Sequence, residues 1–123
     1  MDKDEGASRM VLVVEDEALI RDTVTDAFES AGFEVLSAAN AEEALEALRG
    51  HPEVSVIFTD INMPGAMDGL DLAKFVREKW PRIVLMVTSG RPPPGGTAEI
   101  PGRFFSKPYK LEELIDVIKA SRA

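Results

Sequence analysis

The stretch Met10-Val11-Leu12-Val13-Val14-Glu15-Asp16-Glu17 decides the fold. An unbroken apolar, valine-rich run with no polar alternation suits a strand buried on both faces, and the acidic residues end it abruptly. Directly afterwards the period changes. Over Ala18–Ala31 the residues Ile20, Val24, Ala27, Phe28 and Ala31 fall on one helical stripe, which Gly32 stops. A buried strand followed at once by an amphipathic helix is the first half of a parallel crossover.

The same alternation runs outward along the chain. Phe33–Ala38, Val54–Thr59, Ile83–Val87 and Phe104–Ser106 read as further strands. Asn40, with Glu43 three positions on, reads as a capping box opening a helix whose Ala44, Leu45 and Leu48 face inward. Leu70–Trp80 is a helix with Leu72, Phe75, Val76 and Lys79 down one face, ended by Pro81, and Leu111–Ala120 closes the chain with Leu111, Leu114, Ile115 and Ile118 in register. Apolar strands separated by helix-length connections mean a parallel sheet covered on both sides. Between Arg91 and Gly102, Pro92-Pro93-Pro94-Gly95-Gly96 stands where a helix is due; prolines lack amide donors and glycines weaken helices, so a loop or a single turn is expected there.

The 123 residues suffice for one domain, expected over 9–123 after a disordered polar leader at 1–8. A formal charge of −8 opposes binding to nucleic acid, whose phosphates demand a basic face. With no cysteine, disulfides, thiol catalysis and thiolate metal sites are excluded, and the single His51 does not build a multi-histidine metal site. No segment approaches a membrane span or a signal peptide, so a cytoplasmic protein is expected.

The chemistry lies at the strand ends. Glu15 and Asp16 follow the first strand, Asp60 the third, Thr88 and Ser89 the fourth, and Lys107 the fifth. Parallel strands bring these ends to one edge, where ligands of open α/β sheets bind. The second strand adds nothing, as an outer position in an order 2-1-3-4-5 would have it. Taken singly, each residue also has a plain structural use as a turn former, helix cap or surface cation. Jointly they are complementary. Carboxylates crowded together repel unless a cation sits among them, and Mg²⁺ suits the oxygens of Glu15, Asp16 and Asp60. An anion rich in acceptor oxygens, such as a phosphoryl group, would satisfy the ion, the Lys107 ammonium and the Thr88 hydroxyl together, and a carboxylate can accept it covalently.

Val13-Val14-Glu15-Asp16-Glu17, Asp60-Ile61-Asn62-Met63-Pro64, Met67-Asp68-Gly69, Val87-Thr88-Ser89 and Lys107-Pro108-Tyr109 together resemble the receiver domains of two-component response regulators, over about residues 9–121. The resemblance implies a flavodoxin-like, doubly wound α/β fold with a five-stranded parallel sheet, its fourth helix short or replaced by the Pro/Gly loop. It implies that Asp60 is the phosphoacceptor and that Glu15, Asp16, Asp60 and the backbone carbonyl of Asn62 hold Mg²⁺. Lys107 would pair with the phosphoryl group, Thr88 and Phe104 would form the switch, and the Lys107–Pro108 peptide would be cis. The implied partners are a sensor histidine kinase or a histidine phosphotransfer protein and a downstream protein target. The chain would be a signalling switch with no enzymatic turnover beyond its own phosphorylation and dephosphorylation. The chain departs from the pattern in three respects: the loop from Asn62 to Gly69 holds one more residue between Pro64 and Met67 than is usual, Phe104 lacks the hydroxyl of the frequent tyrosine, and the Pro/Gly tract stands where the fourth helix is due. An aspartate-dependent phosphatase would instead place Asp-x-Asp after the first strand, and a nucleotide binder would want glycines there rather than Glu15-Asp16.

Overall fold

A computed structural model describes residues 9–91, 96 and 100–121. The strands are β1 (Met10–Val14), β2 (Glu34–Ala38), β3 (Val54–Asp60), β4 (Val84–Ser89) and β5 (Arg103–Ser106). The helices are α1 (Ala18–Ser30), α2 (Ala41–Gly50), α3 (Gly69–Lys79) and α4 (Leu111–Ala120). All pairings are parallel and the sheet order is β2-β1-β3-β4-β5. This is the doubly wound arrangement expected from the alternation of apolar strands and amphipathic helices.

Strand alternation divides the core into two layers. Leu12, Val14, Ile57, Leu85 and Val87 pack on one side with Ala44 and Leu48 of α2 and Leu72, Ala73 and Val76 of α3. Val11, Val13, Val56, Phe58 and Met86 pack on the other with Val24 and Phe28 of α1 and Leu114 and Ile118 of α4. Each central strand therefore spends both sets of side chains on burial, which is why β1 and β3 carry no polar alternation.

Three local readings are corrected. Ending β3 at Thr59 and β4 at Val87 stopped the strands before Asp60 and Thr88, whereas the ladder continues: Asp60 pairs with Thr88, and Ser89 with Ser106. Backbone hydrogen bonding is indifferent to side-chain polarity. Lys79 is not an inward residue of α3. It is exposed, its ammonium 6.0 Å from the Phe75 ring centroid, and Ala73 takes the buried place. At α2, Asn40 accepts from the Glu43 N–H at 2.8 Å as expected, but the Glu43 carboxylate returns to the N–H of Ala39 rather than to Asn40.

The expected leader at 1–8 lies outside the described residues, as do 92–95 and 97–99 of the loop expected over Arg91–Gly102. In the Asn62–Gly69 loop Gly65 adopts φ 113°, a left-handed conformation that glycine accepts without a Cβ clash, and Gly65 and Ala66 are exposed.

Candidate functional site

Four strand ends build the site at the carboxyl edge of the sheet. Strand order reverses between β1 and β3, so Glu15 and Asp16 come up beside Asp60 at the switch point of the sheet, the usual ligand position in such folds. Asp60 is itself the last residue of β3 and only 5% exposed. Strand geometry thus holds its backbone rigidly.

Each oxygen of the Asp60 carboxylate has a donor. Lys107 Nζ lies 2.7 Å from Oδ2, and the backbone N–H of Asn62 donates to Oδ1 at 3.0 Å. For the lysine, burial acts to lower the ammonium pKa, but the hydrogen bond and charge of Asp60 outweigh it and the net direction is upward. Lys107 remains a cation. The Lys107–Pro108 peptide is cis, as the resemblance implied.

Glu15 is 3% exposed. Its carboxylate accepts from the Glu17 N–H at 3.0 Å, and its backbone carbonyl accepts from Arg21 Nη1 at 2.8 Å. Burial pushes the Glu15 carboxyl up to about 7; the Glu17 N–H works against that, while the negative charge of Asp60 adds to it. Asp16, next along, is exposed. Among the described residues, no three acidic or histidine side chains stand close enough to form a ready-made metal cage.

Thr88 is fully buried and is the cross-strand partner of Asp60, so the two side chains share one face of the sheet. Its Oγ1 has no hydrogen-bond partner among the described residues. A buried hydroxyl without a partner is costly, and one beside a carboxylate at a sheet edge is poised for an incoming acceptor. Phe104 is not brought to Thr88 by the register. It pairs with Val87 and packs, partly buried, with the α2/α3 layer, while Thr88 pairs with Phe105.

Two features escaped the sequence reading. Asp68 caps α3 by accepting from the Asp71 N–H at 2.9 Å, and Asp71 accepts in return from the Asp68 N–H at 3.3 Å. The spacing Asp68-Gly69-Leu70-Asp71 carried that signal, in a variant with aspartate at both ends. The second is Gly69 itself. A Cβ there would lie 1.7 Å from the carbonyl oxygen of Asp60, so only glycine allows α3 to start against the end of β3. No local sequence pattern announces such a contact.

With this geometry in view, comparison with known proteins gives one answer. The family model of the response regulator receiver domain matches residues 11–119. The chain belongs to that family. A response regulator receiver protein of Brucella abortus, CpdR, is 32% identical over 115 residues, covering 90% of this chain and 94% of that protein. A protein-glutamate methylesterase/protein-glutamine glutaminase of Archaeoglobus fulgidus is 51% identical over 81 residues, 64% of this chain but only 22% of that protein. Among solved structures, a response regulator receiver protein from Pseudomonas putida superposes with a TM-score of 0.85 at 26% identity, covering 93% of this chain and 98% of the other. The chain spans less than half the length of several curated relatives it matches, among them a probable transcriptional regulatory protein of Picosynechococcus at 49% and HoxA of Cupriavidus necator at 16%.

Proposed function

We propose that this receiver domain accepts a phosphoryl group on Asp60 from a phosphohistidine of a sensor kinase or a phosphotransfer protein, and relays it or signals by protein contact. The observation that supports the reading most directly is the trio at the sheet edge: Asp60 held at both oxygens, Lys107 against one of them, and the orphan hydroxyl of Thr88 on the same face.

In the transfer, a carboxylate oxygen of Asp60 attacks phosphorus as the phosphorus–nitrogen bond to the donor histidine breaks. The electron pair leaves with the imidazole, which takes up a proton. The Asp60 carboxylate is fixed at both oxygens, so its approach costs little orientational freedom. Lys107, displaced from Oδ2, keeps its charge and follows the phosphoryl oxygens; Thr88 donates to one of them. Water attack on the acyl phosphate returns the free carboxylate.

The donor set also fits a hard divalent cation. Glu15 is a buried carboxyl whose ionisation is opposed by burial and by Asp60, the condition that a cation relieves. The absence of a closed cage among the described residues suits Mg²⁺, which keeps several waters. Glu15, Asp16, Asp60 and the Asn62 carbonyl would hold it, and it would supply charge neutralisation of the phosphoryl oxygens.

Phosphorylation then draws Thr88 inward, and Phe104 adjusts against the Val87 side of the sheet as the switch output. A cytoplasmic setting follows from this partnership. Among the described residues no helix is long and apolar enough to cross a membrane, and the net charge of −8 disfavours nucleic acid as a direct target.

Incubation with acetyl phosphate and Mg²⁺ tests the reading. Intact mass should rise by one phosphoryl group, dependent on the metal and lost in Asp60→Asn, whose neutral amide is a far weaker nucleophile. Equal labelling of the Asp60→Asn protein would overturn the assignment.

A further inference from the structure

Ser89, the last residue of β4, is 1% exposed, and its hydroxyl uses both its donor and its two acceptor positions. Its hydroxyl donates to the Arg91 carbonyl at 2.8 Å and accepts from the Arg91 N–H at 3.2 Å. The same oxygen accepts from the Asn62 side-chain amide at 2.9 Å. Its backbone carbonyl accepts from the Lys107 N–H at 3.0 Å.

Asn62 and Lys107 are the residues that donate to the two oxygens of Asp60. Both are therefore moored to one residue, which itself touches neither oxygen. Asn62 would otherwise be free to turn: it is exposed, and it stands on the loop between β3 and α3. Lys107 stands just past the end of the short strand β5.

Resting on the reading of Asp60 as phosphoacceptor, we propose that Ser89 is a positioning residue that sets the attack geometry of Asp60 by mooring Asn62 through its hydroxyl and Lys107 through its backbone. Ser89 acts through others and is not itself catalytic. Its hydroxyl also pins Arg91, two residues past the end of β4, so a change at Asn62 on phosphorylation is felt there. The mooring governs the rate of transfer more than the affinity for the donor, because a misdirected nucleophile lowers the maximal rate while the donor's contacts remain.

The test uses Ser89→Ala, Asn62→Ala and the double variant with acetyl phosphate and Mg²⁺. Ser89→Ala keeps the backbone carbonyl and removes only the hydroxyl. We expect the maximal phosphorylation rate to fall about five- to ten-fold with the half-saturating donor concentration unchanged, as for the loss of one or two hydrogen bonds. Ser89→Thr, which keeps a hydroxyl, should restore most of the rate. The double variant should be no slower than the slower single variant, because both break the same link. Amide exchange at Arg91 should quicken in Ser89→Ala. Should Ser89→Ala fail to fold, Asn62→Ala at an exposed position gives the same reading from the other side. Wild-type rates in both single variants, or independent additive losses in the double variant, would overturn the mooring while leaving phosphorylation of Asp60 intact. A wild-type protein that takes up no phosphoryl group would overturn the site assignment, and this proposal with it.

Discussion

Lys107 Nζ sits 2.7 Å from Oδ2 of Asp60, joining residues 47 positions apart in the chain. The carboxylate is 6% exposed and the lysine side chain 29%, so the pair is more sheltered than a surface ion pair yet open enough to exchange partners. The free protein thus holds this ammonium on the carboxylate proposed to accept the phosphoryl group.

Removing that cation should show in two ways. Lys107→Met leaves Asp60 a buried charge without its partner, and unfolding by urea should show a loss of about 1–3 kcal/mol, below the cost of breaking a fully buried pair because the lysine is partly solvated. Phosphorylation from acetyl phosphate should slow by at least ten-fold, since charge on the transferring group is no longer neutralised. Unchanged kinetics would remove Lys107 from the mechanism.

Thr88→Val separates stability from switching. The hydroxyl is buried and unpartnered among the described residues, so a valine of similar shape should stabilise the free protein by about 1 kcal/mol. The same variant should lose most of the structural response to beryllofluoride, read by amide exchange across β4. Destabilisation by valine would mean that the hydroxyl already has a partner in the free state.

Glu15 gives a pH signature in metal-free buffer. Its carboxyl is raised from 4.5 to about 7, first by burial, against the pull of the Glu17 N–H, with the Asp60 charge adding. Between those pH values the unfolded chain has released this proton and the native protein still holds it, so stability falls as pH rises across the window. The Glu15 share of that fall should be up to about 3 kcal/mol, and Glu15→Gln should flatten it. Mg²⁺ added near neutral pH should recover stability in the wild type but not in Glu15→Gln. Urea midpoints at a series of pH values, with chelator or with Mg²⁺, measure each slope.

Gly69→Ala tests how α3 is seated against the end of β3. The new methyl group would fall 1.7 Å from the Asp60 carbonyl oxygen and 2.8 Å from the Ile61 Cα, with backbone on the other side of the clash that has no rotamer to change. A stability loss of about 3 kcal/mol is expected, together with slower phosphorylation as Asp60 is pushed from its place. Wild-type values of both would show that α3 shifts freely relative to β3, contrary to the buried packing of Leu72, Ala73 and Val76.

Much of this was legible in the chain. Met10–Val14 and Leu111–Ala120 were bounded from sequence as they are observed, because an apolar run and a helical stripe are local properties of a few turns of backbone. Helix-length connections implied parallel strands, and the expected order 2-1-3-4-5 agreed with the strand ends that carry polar residues and with the flavodoxin-like resemblance. Boundaries failed where polarity and backbone pairing part company, as at Asp60 and Ser89, which were read as following their strands and are strand residues.

By itself the sequence determined the parallel doubly wound sheet, the edge at which chemistry gathers, and the residues that gather there, since periodicity and strand direction are written into neighbouring positions. Only the tertiary structure decided how those residues are held. The Thr88 hydroxyl left without a partner among the described residues, the hydrogen bonds of Asn62 and Lys107 to Ser89, and the glycine forced on position 69 by the Asp60 carbonyl all depend on distances between segments apart in the chain. Hydrogen bonding and steric exclusion act over a few ångströms of space, and no spacing along the chain encodes which atoms will meet there.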